Sequence, residues 1–252
     1  MTGRGQDMVD RVVVITGASR GIGELLAESF SAAGASVGLL ARDEAAIKEL
    51  ADRLAQPAVA VACDVADEHS VTEAFTQLAD RLGRIDSVVA NAGIAPSSGR
   101  AHKLDVRTWR SIVDVNLTGT FLTAQAAYPH LAASGWGRLV LTSSVMATLP
   151  RRGIAAYAAT KAGIEGLARA LAADWAGDGI NVNAVAPGFF DVGMGTAFHE
   201  SERLAAQVSA RTPIGRFGAA EELAGVVRFL AGAASSYVTG QVLAVDGGYG
   251  LG

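Results

Sequence analysis

Short runs of β-branched residues alternate with longer Ala- and Leu-rich stretches along the whole chain, and that alternation limits the possible folds more than any other feature. Residues 11–16, 36–41, 58–63, 86–90, 138–142, 181–186 and 241–245 read as strands. Residues 21–33, 43–54, 67–82, 106–133, 155–176, 196–210 and 219–230 read as helices. In the first of these, Ile22, Leu25, Leu26, Ser29 and Phe30 recur at i, i+3, i+4, i+7 and i+8, one face of a 3.6-residue period. Asp43 stands at an N-cap position. A repeated β-then-α order calls for a parallel sheet covered on both faces. The first run, RVVVIT, is nearly all apolar, as a strand buried on both sides must be. The only Pro/Ser/Gly-rich patch, 95–99, is no longer than a loop, so residues 1–252 are expected to form one doubly wound α/β domain of about seven strands.

The charge balance excludes some partners. There are 21 basic and 25 acidic residues, a net charge of −4, and no basic run longer than Arg151-Arg152, so nucleic acid is not an expected partner. Residues 1–10 are polar and carry Asp7 and Asp10, with no apolar core of a signal peptide. No uncharged apolar stretch reaches 18 residues, so no membrane span is expected and the chain reads as cytoplasmic. The lone Cys63 supplies no disulfide framework, and His69, His102, His130 and His199 lack metal-ligand spacing and read as surface residues. No metal is expected.

Glycine makes up 30 of the 252 residues, and the most informative of these follow the first strand: Thr16-Gly17-Ala18-Ser19-Arg20-Gly21-Ile22-Gly23. Gly17 allows a sharp turn, Gly21 a close approach of backbone to a pyrophosphate, and Gly23 close packing of the helix. The helix N-terminus then offers N–H groups to phosphate oxygens. This is a Rossmann-like dinucleotide turn, spaced G-x3-G-x-G. It lacks the Gly-Lys-[Ser/Thr] of a nucleotide-hydrolysing P-loop. At the tip of the second strand, an acidic residue would bond the adenosine ribose and reject a 2′-phosphate. Here that position is Ala41, followed by Arg42, and Arg20 lies in the glycine turn. Two guanidiniums suit a 2′-phosphate, so NADP(H) is expected in preference to NAD(H).

Tyr157-Ala-Ala-Thr-Lys161 places a phenol and an ammonium at i and i+4 on one helix face, in a chain with only three lysines (Lys48, Lys103 and Lys161). A free phenol has a pKa near 10. A nearby ammonium would favour phenolate and make Tyr157 a usable acid for carbonyl reduction and base for alcohol oxidation. Thirteen residues upstream, Ser144 can donate a hydrogen bond to a substrate oxygen as charge develops. Ser143 competes by position; the spacing to Tyr157 favours Ser144.

With these residues in order, the chain resembles the short-chain dehydrogenase/reductase family. The matching pieces are TGASRGIG at 16–23, Asp64, Asn91-Ala92-Gly93, Asn116 within VDVNLTG, Ser144, Tyr157 and Lys161, Pro187-Gly188, and Asp246-Gly247-Gly248. The resemblance implies that Tyr157 is the acid/base and Ser144 orients the carbonyl. It implies that Lys161 bonds the nicotinamide ribose and lowers the tyrosine pKa, and that Asn116 holds a water in a proton relay. It assigns Asp64 and Val65 to the adenine, and Asn91, Ala92 and Gly93 to the adenosine ribose and central sheet. It assigns Pro187 and Gly188 to the nicotinamide pocket. Val192 stands where the family often has Thr, so an anchor there would have to be the Val192 N–H. A mobile substrate lid is implied at 189–211, with Gly193 and Gly195 as hinges and Phe189, Phe190, Met194 and Phe198 as lining. A homotetramer is implied too, with interfaces on the two long helices and near Asp246.

The expected activity is hydride transfer between the nicotinamide and a small-molecule carbonyl or secondary alcohol. The resemblance extends to 3-oxoacyl-[acyl-carrier-protein] reductases and general ketone reductases, with gluconate-type sugar-acid dehydrogenases as the alternative. A non-catalytic dinucleotide sensor is the alternative from another class.

Overall fold

The computed structural model describes residues 8–95, 99–193 and 201–251. Seven parallel strands form one sheet in the order β3-β2-β1-β4-β5-β6-β7. They are β1 (Val12–Thr16), β2 (Ser36–Ala41), β3 (Ala58–Ala62), β4 (Ser87–Ala90), β5 (Arg138–Thr142), β6 (Asn181–Pro187) and β7 (Val242–Val245). Helices α1 (Ile22–Ala32), α2 (Glu44–Arg53), α3 (Glu68–Leu82), α4 (Val106–Val113), α5 (Gly119–Ala133), α6 (Ala155–Trp175), α7 (Glu202–Arg211) and α8 (Ala220–Ala231) are described with them. The expected doubly wound α/β architecture is the one observed.

The alternation of β1 shows why its sequence is apolar throughout. Val13 and Ile15 face one core with Leu26 and Phe30 of α1 and Leu223 and Val227 of α8. Val14 faces the other, with Phe75 of α3 and Leu131 of α5. Successive side chains point to opposite faces, and both faces are covered. Each fully buried Val or Ile of this kind is worth roughly 1.5–3 kcal/mol of transfer free energy. At α2 the predicted cap forms: the Asp43 side chain accepts from Ala46 N at 3.1 Å. Asp67 does the same for Ser70 N at 2.8 Å.

Strand order reverses between β1 and β4, which pair directly. In open α/β sheets ligands bind outside the carboxyl ends of the strands at such a point. The glycine turn after β1 and Asn91–Gly93 after β4 flank it.

The stretch 106–133 is helical throughout, as expected, with one π-helical turn at Asp114–Thr118 between α4 and α5. Asn116 Oδ1 accepts from Ile94 N at 2.8 Å and its Nδ2 donates to Ile94 O at 2.9 Å, so the side chain is held to the loop after β4. Thr120 Oγ1 meanwhile donates to the Asn116 carbonyl at 2.6 Å. Side-chain bonds inserted in a helix ladder open it in this way. His130 is partly buried and stacks on Phe75 at 6.3 Å, and burial lowers its pKa. The helix expected at 196–210 is described as Glu202–Arg211. Its expected first residues, with Met194, Gly195 and Phe198, lie outside the described residues.

Candidate active site

The glycine turn is dictated by what crowds it. Gly17 has φ +69°, and a Cβ there would lie 2.8 Å from Ala92 Cα. A Cβ on Gly23 would come within 2.1 Å of the Gly17 carbonyl oxygen. Asn91, expected at the adenosine ribose and the central sheet, turns its side chain toward the sheet. Its Nδ2 donates to Thr16 O at 3.1 Å, and Thr16 Oγ1 accepts from Asn91 N and Ala92 N at 3.0 and 3.1 Å. Thr16 therefore knits the ends of β1 and β4 together, a role that the sequence reading did not assign.

Gly21 is the N-cap of α1, with φ 63° and no side-chain cap, so among the described residues no side chain competes for the helix's first N–H groups. That arrangement suits a pyrophosphate. Gly21 also meets a second constraint. A Cβ there would lie 2.9 Å from Gly193 Cα, because the segment after β6 crosses the turn at this point. Val192, beside it, packs its side chain on the core formed by α1 and α8.

The turn is tied to the end of β2 by Gly17 N and Ala18 N, which both donate to Leu40 O at 2.7 and 3.2 Å. Ala41 is buried, and Arg42 and Arg20 are exposed along this edge. Among the described residues neither guanidinium has a carboxylate partner. Ser19 and Ile22 are partly buried in the turn. Asp64 sits after β3, where its Oδ1 accepts from Ala66 N at 3.1 Å, and the neighbouring Val65 packs against Gly119. Gly188 N is bonded to Val245 O at 2.8 Å, and a Cβ on Gly188 would strike Asp246 Cα at 2.7 Å.

At the end of β5 the two serines separate by partner. Ser143 Oγ donates toward the Lys161 carbonyl at 3.1 Å and the Glu165 carboxylate at 3.0 Å, facing α6. Ser144, 8% exposed, lies on the Tyr157 side, where it opposes the rise in the phenol's pKa. Its Oγ accepts from Met146 N at 3.2 Å. Tyr157 is also 8% exposed.

Lys161 is buried on the same helix. Its Nζ donates to Thr142 O at 2.6 Å and lies 5.6 Å from the centroid of the Tyr157 ring. A Cβ on Gly93 would be 3.4 Å from Asn116 Oδ1 and 3.6 Å from Lys161 Nζ, so Gly93, Asn116 and Lys161 meet at one point. Asn116 Nδ2 reaches Thr160 Oγ1 of α6 at 3.2 Å, which holds the π-turn against the catalytic helix.

Burial raises the Tyr157 pKa above its ordinary value, and Ser144 partly opposes this. Burial alone lowers Lys161 to about 8. A low-dielectric site disfavours both charged forms, phenolate and ammonium.

Phe189 follows β6, and its ring meets Tyr249 at 5.1 Å and Phe217 at 6.2 Å. Tyr249 belongs to one apolar cluster with Val145, Met146, Ile154 and Tyr157, against which Phe189 and Leu149 pack. The sequence reading missed Tyr249 and Thr160. No local motif marks Tyr249, which is brought in by the turn at Asp246.

Residues 17–250 match a protein-family model described as enoyl-(acyl carrier protein) reductase. The chain is 39% identical over 247 residues to cis-4-hydroxycyclohexanecarboxylate dehydrogenase of Sinomonas cyclohexanicum, covering 97% of this chain and 98% of that protein. A short-chain type dehydrogenase/reductase from Mycobacterium ulcerans superposes with a TM-score of 0.94 at 30% identity, over 97% of this chain and 91% of that one. A gluconate 5-dehydrogenase from Burkholderia cenocepacia, in complex with NADP and tartrate, superposes with a TM-score of 0.91 at 37% identity over 97% of each chain. Among the described residues no group of His, Cys, Asp and Glu is arranged to hold a metal, and no helix is long and apolar enough to cross a membrane.

Proposed function

Because this chain belongs to the short-chain dehydrogenase/reductase family, an oxidoreductase family acting on CH–OH and C=O groups, we propose that it is an NADP(H)-dependent reductase of a small-molecule ketone in which Tyr157 gives the proton. The observation that carries the reading is the meeting of buried Ser144, at the end of β5, with buried Tyr157 on α6, where the Lys161 Nζ lies 5.6 Å from the Tyr157 ring. The bound nicotinamide cofactor supplies the hydride. The N-terminus of α1, capped only by Gly21, receives its pyrophosphate, and Arg20 and Arg42 take the 2′-phosphate.

The remaining work falls to the chain's own side chains. Ser144 donates a hydrogen bond to the substrate oxygen, where negative charge grows. Tyr157 passes its hydroxyl proton to that oxygen. The phenol is protonated at neutral pH, the form that carbonyl reduction requires, and burial raises its pKa further. Lys161 stabilises the phenolate left behind through its field, from a position fixed by the Thr142 carbonyl. Asn116 positions the loop after β4 through Ile94, which keeps Gly93 against the lysine. Of the lid implied at 189–211, the described residue Phe189 lies beside Tyr249 and Phe217. Val106, Trp109 and Phe121 expose apolar surface on α4 and α5, which we assign to assembly of a homotetramer.

Gluconate 5-dehydrogenase, 3-oxoacyl-[acyl-carrier-protein] reductase and a ring-alcohol dehydrogenase are all related to this chain. A ketone or secondary alcohol is the feature their substrates share, and the reading is stated at that level. A dinucleotide sensor would have no use for Ser144, Tyr157 and Lys161 held together. The test is NADPH consumption with a panel of ketones. Turnover is expected, and Tyr157→Phe should lower kcat by about 10²–10⁴-fold, the usual worth of a positioned proton donor. NADPH binding should be unchanged. Equal turnover by Tyr157→Phe would refute the proton role.

A further inference from the structure

The segment after β7 is held by a set of hydrogen bonds. The Asp246 carboxylate accepts from Gly248 N at 2.9 Å and Gly250 N at 2.8 Å. Tyr249 N donates to Asp246 O at 3.1 Å, and Ile214 N donates to Gly247 O at 3.2 Å. Gly247 and Gly248 have φ of 61° and 87°, a backbone path that folds the tail back over the sheet edge. Its result is to bury the Tyr249 ring, which is 8% exposed. One edge of the ring meets Phe189, and the Arg211 guanidinium lies 4.5 Å from its centroid. A ring so held from several sides is a wall with little freedom to move.

We propose that Tyr249 is a specificity-determining residue of the catalytic pocket. The wall it makes with Met146, Leu149, Ile154 and Phe189 selects a compact ketone or secondary alcohol with an apolar, ring-shaped body over an open-chain polyhydroxy ketone. The inference rests on Tyr157 as the proton donor, because it is the cluster around Tyr157 that Tyr249 completes. The side chains packed around Tyr157 are aliphatic, thioether or phenyl, with the Ser144 hydroxyl and the Arg211 guanidinium on Tyr249 as the polar groups beside them. Each substrate hydroxyl buried against the wall without a partner would pay its desolvation. A saturated ring instead gains dispersion contacts with the aromatic faces and Met146.

The test uses the full-length chain with NADPH and two ketones, cyclohexanone and erythrulose. The wild-type kcat/KM for cyclohexanone is expected to exceed that for erythrulose by about tenfold or more, the scale of discrimination in an apolar pocket. Tyr249→Ala should raise KM for cyclohexanone about tenfold, with kcat within about threefold. Tyr249→Phe should keep the wild-type KM, since the ring and not the hydroxyl makes the wall. NADPH affinity, read by fluorescence titration, should be the same in all three proteins. A wild-type preference for erythrulose overturns the inference, as does a Tyr249→Ala KM equal to wild type. The wild-type ranking needs no variant, so a poorly folding Tyr249→Ala leaves the test standing. A chain that binds NADPH and reduces erythrulose alone refutes only this inference. A chain that binds no NADPH refutes the proposed function with it.

Discussion

Lys161→Met should stabilise the chain in the absence of cofactor while abolishing its activity. The ammonium is buried, and its pKa is lowered from 10.5 to about 8 by burial. At about 1.4 kcal/mol for each pH unit, that shift is a cost of folding of about 3 kcal/mol wherever the lysine is protonated in both states. The sign follows from proton counts. Between pH 8 and 10.5 the unfolded chain holds a proton that the folded chain has lost, so stability rises with pH across this window. Below pH 8 both forms are protonated and the full cost is present. Methionine removes the charge at nearly the same length. It also removes the bond to Thr142 O, a loss of about 1.5–3 kcal/mol for a hydrogen bond to a charged group. The net gain at pH 7 is then at most about 1.5 kcal/mol. Urea unfolding of both proteins at one protomer concentration, at pH 7, 8.5 and 10, measures it. The advantage of methionine should shrink as pH rises and reverse near pH 10. A variant destabilised at pH 7, or a difference independent of pH, would refute the reasoning.

Two further substitutions probe the cofactor end. Arg42→Ala should raise KM for NADPH about tenfold and leave KM for NADH unchanged, the effect of losing one charge-assisted phosphate contact. Steady-state kinetics with both cofactors check this, and equal effects on the two would remove Arg42 from the 2′-phosphate. Gly23→Ala should abolish folding or cost several kcal/mol, because its Cβ would press to 2.1 Å on the Gly17 carbonyl oxygen, and neither group can move without opening the turn. Soluble expression and circular dichroism read the outcome.

The elements that could be read from sequence are those set by local chemistry. Strand β2 spans Ser36–Ala41 and β5 spans Arg138–Thr142, the same bounds as their β-branched runs. Asp43 caps α2 because a carboxylate at that position competes for the free N–H groups of the first turn, whatever the tertiary context. The π-turn between α4 and α5 was not legible in the same way. Nothing in VDVNLTG interrupts helical periodicity. The π-turn exists because Asn116 bonds Ile94, 22 residues away, and that partner is placed by the sheet. Trp136 shows the same limit: it stacks between Arg11 at 3.9 Å and Arg138 at 4.3 Å, and the first of these comes from another strand's approach.

The site divides along the same line, and the division bears on how its chemistry is tuned. The Tyr157–Lys161 spacing placed both groups on one helix face correctly, since i and i+4 adjacency is a property of the helix alone. The sequence suggested that the lysine would draw the phenol's pKa down. The structure spends the lysine's shortest bond on Thr142 O, and burial is the larger influence on both groups. Burial is a sum over many neighbours, Met146, Ile154, Phe189 and Tyr249 among them, which arrive from four separate segments. No short motif encodes such a sum. The apolar wall that sets substrate shape is therefore also what raises the Tyr157 pKa. A substitution that opens the wall to water, such as Tyr249→Ala, removes part of the desolvation on the phenol. Specificity and proton affinity are coupled in this site because one cluster supplies both.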